Sequence, residues 1–147
     1  MTEYNLIMFR TEGRWSLYTL VCKIIEKYGV CSLYFSSWGL SEEPLRALHN
    51  LKEKGLLSDL YCLLDYRIKE RQAKAFQLCE GISTKIGLMK SHEKVSVIET
   101  QNGQFITIVG SLNWTRNNKN EAGVIINSVE IGQSSKAFMQ KMIDKND

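Results

Sequence analysis

Three short segments carry the residue types that could grip and attack a phosphodiester: Ser91-His92-Glu93-Lys94, then Gly110-Ser111-Leu112-Asn113, then Asn120-Glu121. Between them they supply an imidazole able to act as nucleophile, an ammonium and an amide able to hold anionic oxygens, a hydroxyl donor and a carboxylate. Taken one at a time they are ordinary. A His-x-Lys on a strand is usually an exposed polar edge, a Gly-Ser-x-Asn is usually a turn, and Asn120-Glu121 after Arg116-Asn117-Asn118-Lys119 reads as a solvated loop. Their order, spacing and implied pairing favour chemistry.

The elements that must position these groups are a pair of strands. Asn102-Gly103 lies between two β-branched runs, and Asn-Gly is the preferred pair for a two-residue hairpin loop. That loop sets Gln101 opposite Gln104 and Thr100 opposite Phe105. Continued backwards, the register pairs Val97 with Ile108, Lys94 with Ser111 and His92 with Asn113. Alternating side chains then place His92, Lys94, Ser111 and Asn113 on one face. A bulge near Gly110 would shift the register by one residue.

This constellation resembles the phospholipase D superfamily, whose motif runs His-x-Lys, four residues, Asp, then Gly-Ser-x-Asn and a later Glu. The matching positions are His92, Lys94, Gly110, Ser111, Asn113 and Glu121, with Trp114-Thr115 extending the Gly-Ser segment and Asn120 preceding the acid. Glu99 stands where the family has Asp, a residue usually read there as structural support. The resemblance implies that His92 attacks phosphorus and forms a phosphohistidine, and that Lys94, Ser111 and Asn113 hold the non-bridging oxygens. It implies that Glu121 hydrogen-bonds a histidine nitrogen and fixes its tautomer. Glu99, Gly110, Thr115 and Asn120 are supporting positions. No metal or other cofactor is implied.

That mechanism needs a second histidine as general acid, and the chain has two, His49 and His92. His49 sits in an amphipathic helical pattern, Pro44-Leu45-Arg46-Ala47-Leu48-His49-Asn50-Leu51, and reads as solvent-facing or structural. The motif also occurs once, as in short bacterial nucleases of the superfamily that complete their site by dimerising. The expectation is a two-fold homodimer in which one His92 attacks and the other donates the proton.

Composition fits one globular domain over residues 1–147: 44% hydrophobic, one proline, net charge +3. Charges break the apolar stretches, which argues against a membrane span. The first residues lack a basic-then-apolar leader, which points to the cytoplasm. Cys22, Cys31, Cys62 and Cys79 show no paired metal-ligand spacing and read as free thiols among apolar neighbours.

Periodicity gives strands at residues 5–9, 30–35, 59–64, 84–88 and 121–126 besides the hairpin, alternating with helices at 16–27, 41–54, 68–79 and 130–143. Ser41 is the expected N-cap of the second helix, Glu42 and Glu43 suit its first turn, and Gly55 closes it. The fold class is α/β, a mixed β-sheet sandwiched between helices, as in the superfamily.

Lys85, Lys90, Lys94, Arg116 and Lys119 form a basic rim able to track a phosphate backbone. Trp38 and Trp114 are candidates to stack on bases, Trp15 for the core, and Arg67, Lys69, Arg71 and Lys74 for the wet face of a helix. Three readings stay open. The first is a nuclease or phosphodiesterase acting on DNA or RNA. The second is a nucleic-acid-binding module that has lost activity, and the third, ranked last for want of a membrane-binding segment, is a lipid phosphodiesterase.

Overall fold

The structure is a computed structural model and describes residues 5–145. Residues 1–4, part of the stretch read for a leader, and residues 146–147 lie outside the described part. The elements run β1 (Asn5–Arg10), α1 (Leu17–Tyr28), β2 (Cys31–Ser37), α2 (Glu42–Glu53), β3 (Leu57–Asp65), α3 (Ile68–Arg71), α4 (Ala73–Ile82), β4 (Lys85–Met89), β5 (Val95–Thr100), β6 (Phe105–Gly110), β7 (Ala122–Asn127) and α5 (Val129–Asp144). The strands form one mixed sheet in the order β1-β7-β6-β5-β2-β3-β4. Strands β2, β3 and β4 are parallel to one another, while β5 is antiparallel to β2, and β6, β7 and β1 continue antiparallel.

Period-two alternation divides the strand residues between two cores. Leu33 and Phe35 of β2, Leu60, Cys62 and Leu64 of β3, Ile98 of β5, and Ile106 and Ile108 of β6 join the larger core. It is covered by α1 through Leu17, Val21 and Ile25, by α2 through Leu45, Leu48 and Leu51, and by α4 through Ala75, Phe76 and Cys79. The intervening residues Tyr34, Leu63, Val97 and Phe105 meet Met139 and Ile143 of α5 on the opposite face. The mixed sheet between helices is therefore present as expected. None of the described helices is long and apolar enough to cross a membrane.

Two local expectations are corrected. The 68–79 helix is two pieces, because Gln72 leaves helical geometry (φ −133°, ψ 53°) and its Oε1 accepts a hydrogen bond from Leu40 N at 2.7 Å. Ser41 holds the N-cap position of α2 as expected, but its side chain makes no cap, since its Oγ accepts from Arg116 N at 2.9 Å.

The hairpin register is the larger correction. Glu99 faces Phe105, Val97 faces Thr107 and Val95 faces Val109, one residue away from the expected pairing. The loop holds three residues, closed by hydrogen bonds from Thr100 N to Gln104 O (2.9 Å) and from Gly103 N to Thr100 O (3.1 Å). Gly103 adopts a left-handed φ of 84° whereas Asn102 does not, so a type I turn with a glycine bulge replaces the two-residue loop. The Thr100 hydroxyl favours this turn by bonding Asn102 Oδ1 and accepting from Gln104 N. Strand β5 begins only at Val95, so neither Lys94–Ser111 nor His92–Asn113 is a cross-strand pair.

Candidate active site

The motif residues gather at one end of the sheet, where β2, β3 and β4 finish, β5 begins, and β6 passes to β7. This is the carboxyl end of the parallel strands, the usual place for ligands in open α/β sheets. His92 is exposed there, on the segment that joins β4 to β5. Lys94 Nζ lies 3.0 Å from His92 Nδ1 and also donates to His92 O at 3.0 Å. An ammonium has only donors, so Nδ1 is the acceptor in this arrangement and the ring proton sits on Nε2.

Several side chains fasten this segment. Ser36, at the end of β2, donates to Glu93 Oε1 and accepts from Val95 N, both at 3.0 Å. Asp65, at the end of β3 and 1% exposed, accepts from Ser91 N at 3.2 Å through Oδ2. Its Oδ1 takes Arg67 N and Nε at 3.1 and 2.9 Å. Burial alone would raise the Asp65 pKa, but the hydrogen bonds from the Arg67 side chain and from the Arg67 and Ser91 backbones hold the carboxyl below its ordinary range.

Asn113 is seated by Trp114, which is fully buried, stacks on Phe35 at 4.5 Å and donates from Nε1 to Ser96 Oγ. Asn113 Oδ1 accepts from Trp38 N and Gly39 N at 2.9 and 3.1 Å. Those two amides fix the orientation of the side chain, and its NH2 group has no partner among the described residues. The Thr115 methyl lies against Gly39. Gly110 has a spatial cause: a Cβ there would stand 2.3 Å from Ala122 O, so β6 and β7 could not close at Ser111.

Ser111 Oγ hydrogen-bonds Glu121, whose other oxygen accepts from Asn117 Nδ2 at 2.7 Å. Within one chain, then, Glu121 is engaged by Ser111 and Asn117, and the expected contact with His92 is not made; Lys94 occupies the histidine nitrogen. The Glu121 loop is clamped by buried Thr11, which exchanges backbone and side-chain hydrogen bonds with Glu121 and Lys119, while Asn120 Oδ1 accepts from Glu12 N.

Glu99 is remote from this cluster. It lies four residues beyond Val95, about 14 Å along the strand, and bonds Tyr34 OH at 3.0 Å and Lys136 Nζ of α5 at 2.8 Å. It ties α5 to the sheet, and in that setting burial above all pushes the Tyr34 hydroxyl up to about 12.

Other expectations divide. Lys85 starts β4 at the opposite end and pairs with Asp144, so it leaves the basic rim. Arg116 pairs with Glu43 at 3.3 Å. Trp114 is core and offers no face to a base. Trp15 is only half-buried, against Phe9, and lines a cleft of about 580 Å³ with Arg116 and Asn117. Trp38, in contrast, stands beside the motif, its ring 5.0 Å from the His92 ring, with the Arg71 and Arg67 guanidiniums over it at 5.0 and 5.8 Å. These arginines, expected on the wet face of a helix, stand over an indole instead. Asp65, Ser36 and Thr11 are buried polar residues that belong to no sequence motif, although a carboxylate closing the apolar run Leu63-Leu64 is a signal for a buried partner. His49 is on α2, exposed, 3.8 Å from Glu53. Among the described residues no group of three or more His, Cys, Asp or Glu is placed to hold a metal ion.

A helix-flanked mixed sheet with an exposed His-x-Lys segment and a Gly-Ser-x-Asn turn at one end defines a phospholipase D-like domain. The chain belongs to that family: the family model described as "Cardiolipin synthase, PLD-like domain" matches residues 23–143. Among solved structures it is similar to NucT from Helicobacter pylori, with a TM-score of 0.73 at 18% identity, covering 97% of each chain. It is also similar to Nuc from Salmonella typhimurium, a phospholipase D family member, with a TM-score of 0.70 at 19% identity, covering 99% of this chain and 97% of that one. Yeast tyrosyl-DNA phosphodiesterase shares the fold at a TM-score of 0.57 and 13% identity, over 84% of this chain and 31% of its own. No curated protein matches by sequence.

Proposed function

We propose that this protein is a metal-independent phosphodiesterase, a nuclease that works through a phosphohistidine at a site shared by two copies of the chain, each a single phospholipase D-like domain. The observation that carries this reading is the His92–Lys94 pair, 3.0 Å apart at the same end of the sheet as the Asn113 amide. A phosphodiester entering there draws the Lys94 ammonium from Nδ1 onto a non-bridging oxygen, where the opposite charge is stronger, and the Asn113 NH2 takes a second oxygen. Release of Nδ1 lets the ring proton move there and leaves a lone pair on Nε2. That nitrogen attacks phosphorus, the bond to the leaving oxygen breaks, and a general acid protonates that oxygen. Water, deprotonated by the same group, then hydrolyses the phosphohistidine.

The general acid is what one chain lacks, because His49 is on α2 with Glu53 and His92 is already the nucleophile. A two-fold neighbour's His92 fills the role. The same arrangement gives Glu121 its imidazole: Glu121 keeps Ser111 and Asn117 and accepts the N–H of the neighbour's ring through a remaining lone pair.

The test is cleavage of plasmid and single-stranded DNA in excess EDTA by wild type and His92→Ala. Wild type is expected to cut, and His92→Ala to lose about 10³-fold or more. Cleavage that EDTA abolishes, or that survives in His92→Ala, overturns the reading. A second reading, a nucleic-acid-binding module without catalysis, is favoured by the likeness in fold to TrmBL2, an archaeal chromatin protein whose structure shows a mode of DNA binding (TM-score 0.59, 11% identity). Salt-sensitive DNA binding with no cleavage would support it.

A further inference from the structure

Arg67 and Arg71 stand where the sequence pattern gave them no task. Arg67 is held rigidly: its Nε and its backbone N both bond the buried carboxylate of Asp65, whose other oxygen holds Ser91, the residue before His92. Only Nε is used. The two terminal amino groups of this guanidinium make no hydrogen bond among the described residues, and the side chain remains 44% exposed. Arg71 has no ion pair among the described residues and lies over the Trp38 ring at 5.0 Å. The same indole lies 5.0 Å from the His92 ring, so a single side chain, Trp38, separates the two arginines from the histidine.

A guanidinium with its Nε fixed by a carboxylate and its terminal fork open is preorganised for a phosphate, which it can take bidentately. An indole that carries guanidiniums on its ring holds them in place without neutralising them. Next to a group that attacks a phosphodiester, such a fork has one natural ligand: a second phosphate of the same chain.

We propose that Arg67 and Arg71, positioned by Asp65 and Trp38, form a second phosphate subsite that takes the phosphodiester neighbouring the one presented to His92. The substrate is accordingly a polynucleotide, with phosphates in series, and not a lipid headgroup with a single phosphodiester. This rests on the reading of His92 given above.

The test measures binding, so that it does not depend on turnover. On a His92→Asn background, fluorescence anisotropy gives the Kd of end-labelled octathymidylate and of labelled thymidylyl-thymidine, which contains one phosphodiester. Adding Arg67→Ala or Arg71→Ala is expected to lower the preference for the longer ligand at least tenfold. Each is also expected to reduce the slope of log Kd against log salt for the octamer by about one. Arg71→Ala leaves the Asp65 contacts intact and so guards against misfolding. An unchanged preference and slope in both variants overturns the subsite. Failure of the wild type to cleave DNA, together with these losses, would overturn the role of His92 and leave the subsite standing.

Discussion

Asn113 shows how one side chain joins scaffold to chemistry. Its oxygen receives two backbone amides at the end of β2, and its NH2 is the donor that the proposed mechanism aims at a phosphate. These duties separate by substitution. Asn113→Ala orphans the Trp38 and Gly39 amides and is expected to cost about 1–3 kcal/mol of stability in chemical denaturation. Asn113→Asp keeps the acceptor but replaces the donor with a negative charge. It should fold at near wild-type stability while DNA cleavage falls by about 10²-fold or more. Equal losses of stability in both variants would deny the donor a separate role. The residue types of this site were readable in the sequence because His, Lys, Ser, Asn and Glu at fixed offsets have few structural uses in common. Their partners were not. Asp65, Ser36 and Thr11 act across long chain separations, and nothing local marks a serine or threonine as the clamp of a distant loop.

Among elements, the junction at the end of β3 has the clearest energetic signature. Asp65 couples β3, the turn into α3 and the segment that carries His92, all through one buried carboxylate. Its folded pKa lies below the unfolded value of about 3.9, so its stabilisation is complete above that value and is lost as pH falls through the lower folded value. Asp65→Asn is therefore expected to melt about 5 °C below wild type at pH 7, with the gap closing as pH is taken from 5 toward 3. A gap that does not vary with pH would show that the charge is irrelevant. The elements themselves were largely evident from periodicity, since apolar spacing reports burial directly. The hairpin register was not. It turned on whether Asn102 or the Thr100 hydroxyl governed the turn, and the hydroxyl prevailed, placing the motif before β5 and not within it. Glu99 is explained at this scale too: a longer acid than the family Asp reaches Lys136 of α5, so the departure concerns the attachment of a helix and leaves the candidate site untouched.

At the scale of the whole molecule, the open site and the position of the second histidine, His49, on α2 beside Glu53 make association the central expectation. Sedimentation of the purified chain should give twice its mass of 16.9 kDa; a strict monomer at concentrations where DNA is cut would end the shared-site mechanism. The apolar side chains left in solvent include Leu6, Ile7 and Met8 of edge strand β1, each more than half exposed, and Phe138 of α5. Sequence alone could place β1 as a strand but not as an edge, because edge position follows from which strands pair, and among the described residues β1 pairs only with β7. That pairing has a further meaning for the order of synthesis. Thr11, just past β1, holds the Glu121 loop, and β7 must be present before β1 has a neighbour. A growing chain on the ribosome therefore carries His92 and Lys94 into the open before Ser111, Asn113 and Glu121 are made, and it cannot assemble the candidate site until the stretch through Asn127 has emerged and returned to meet the first strand.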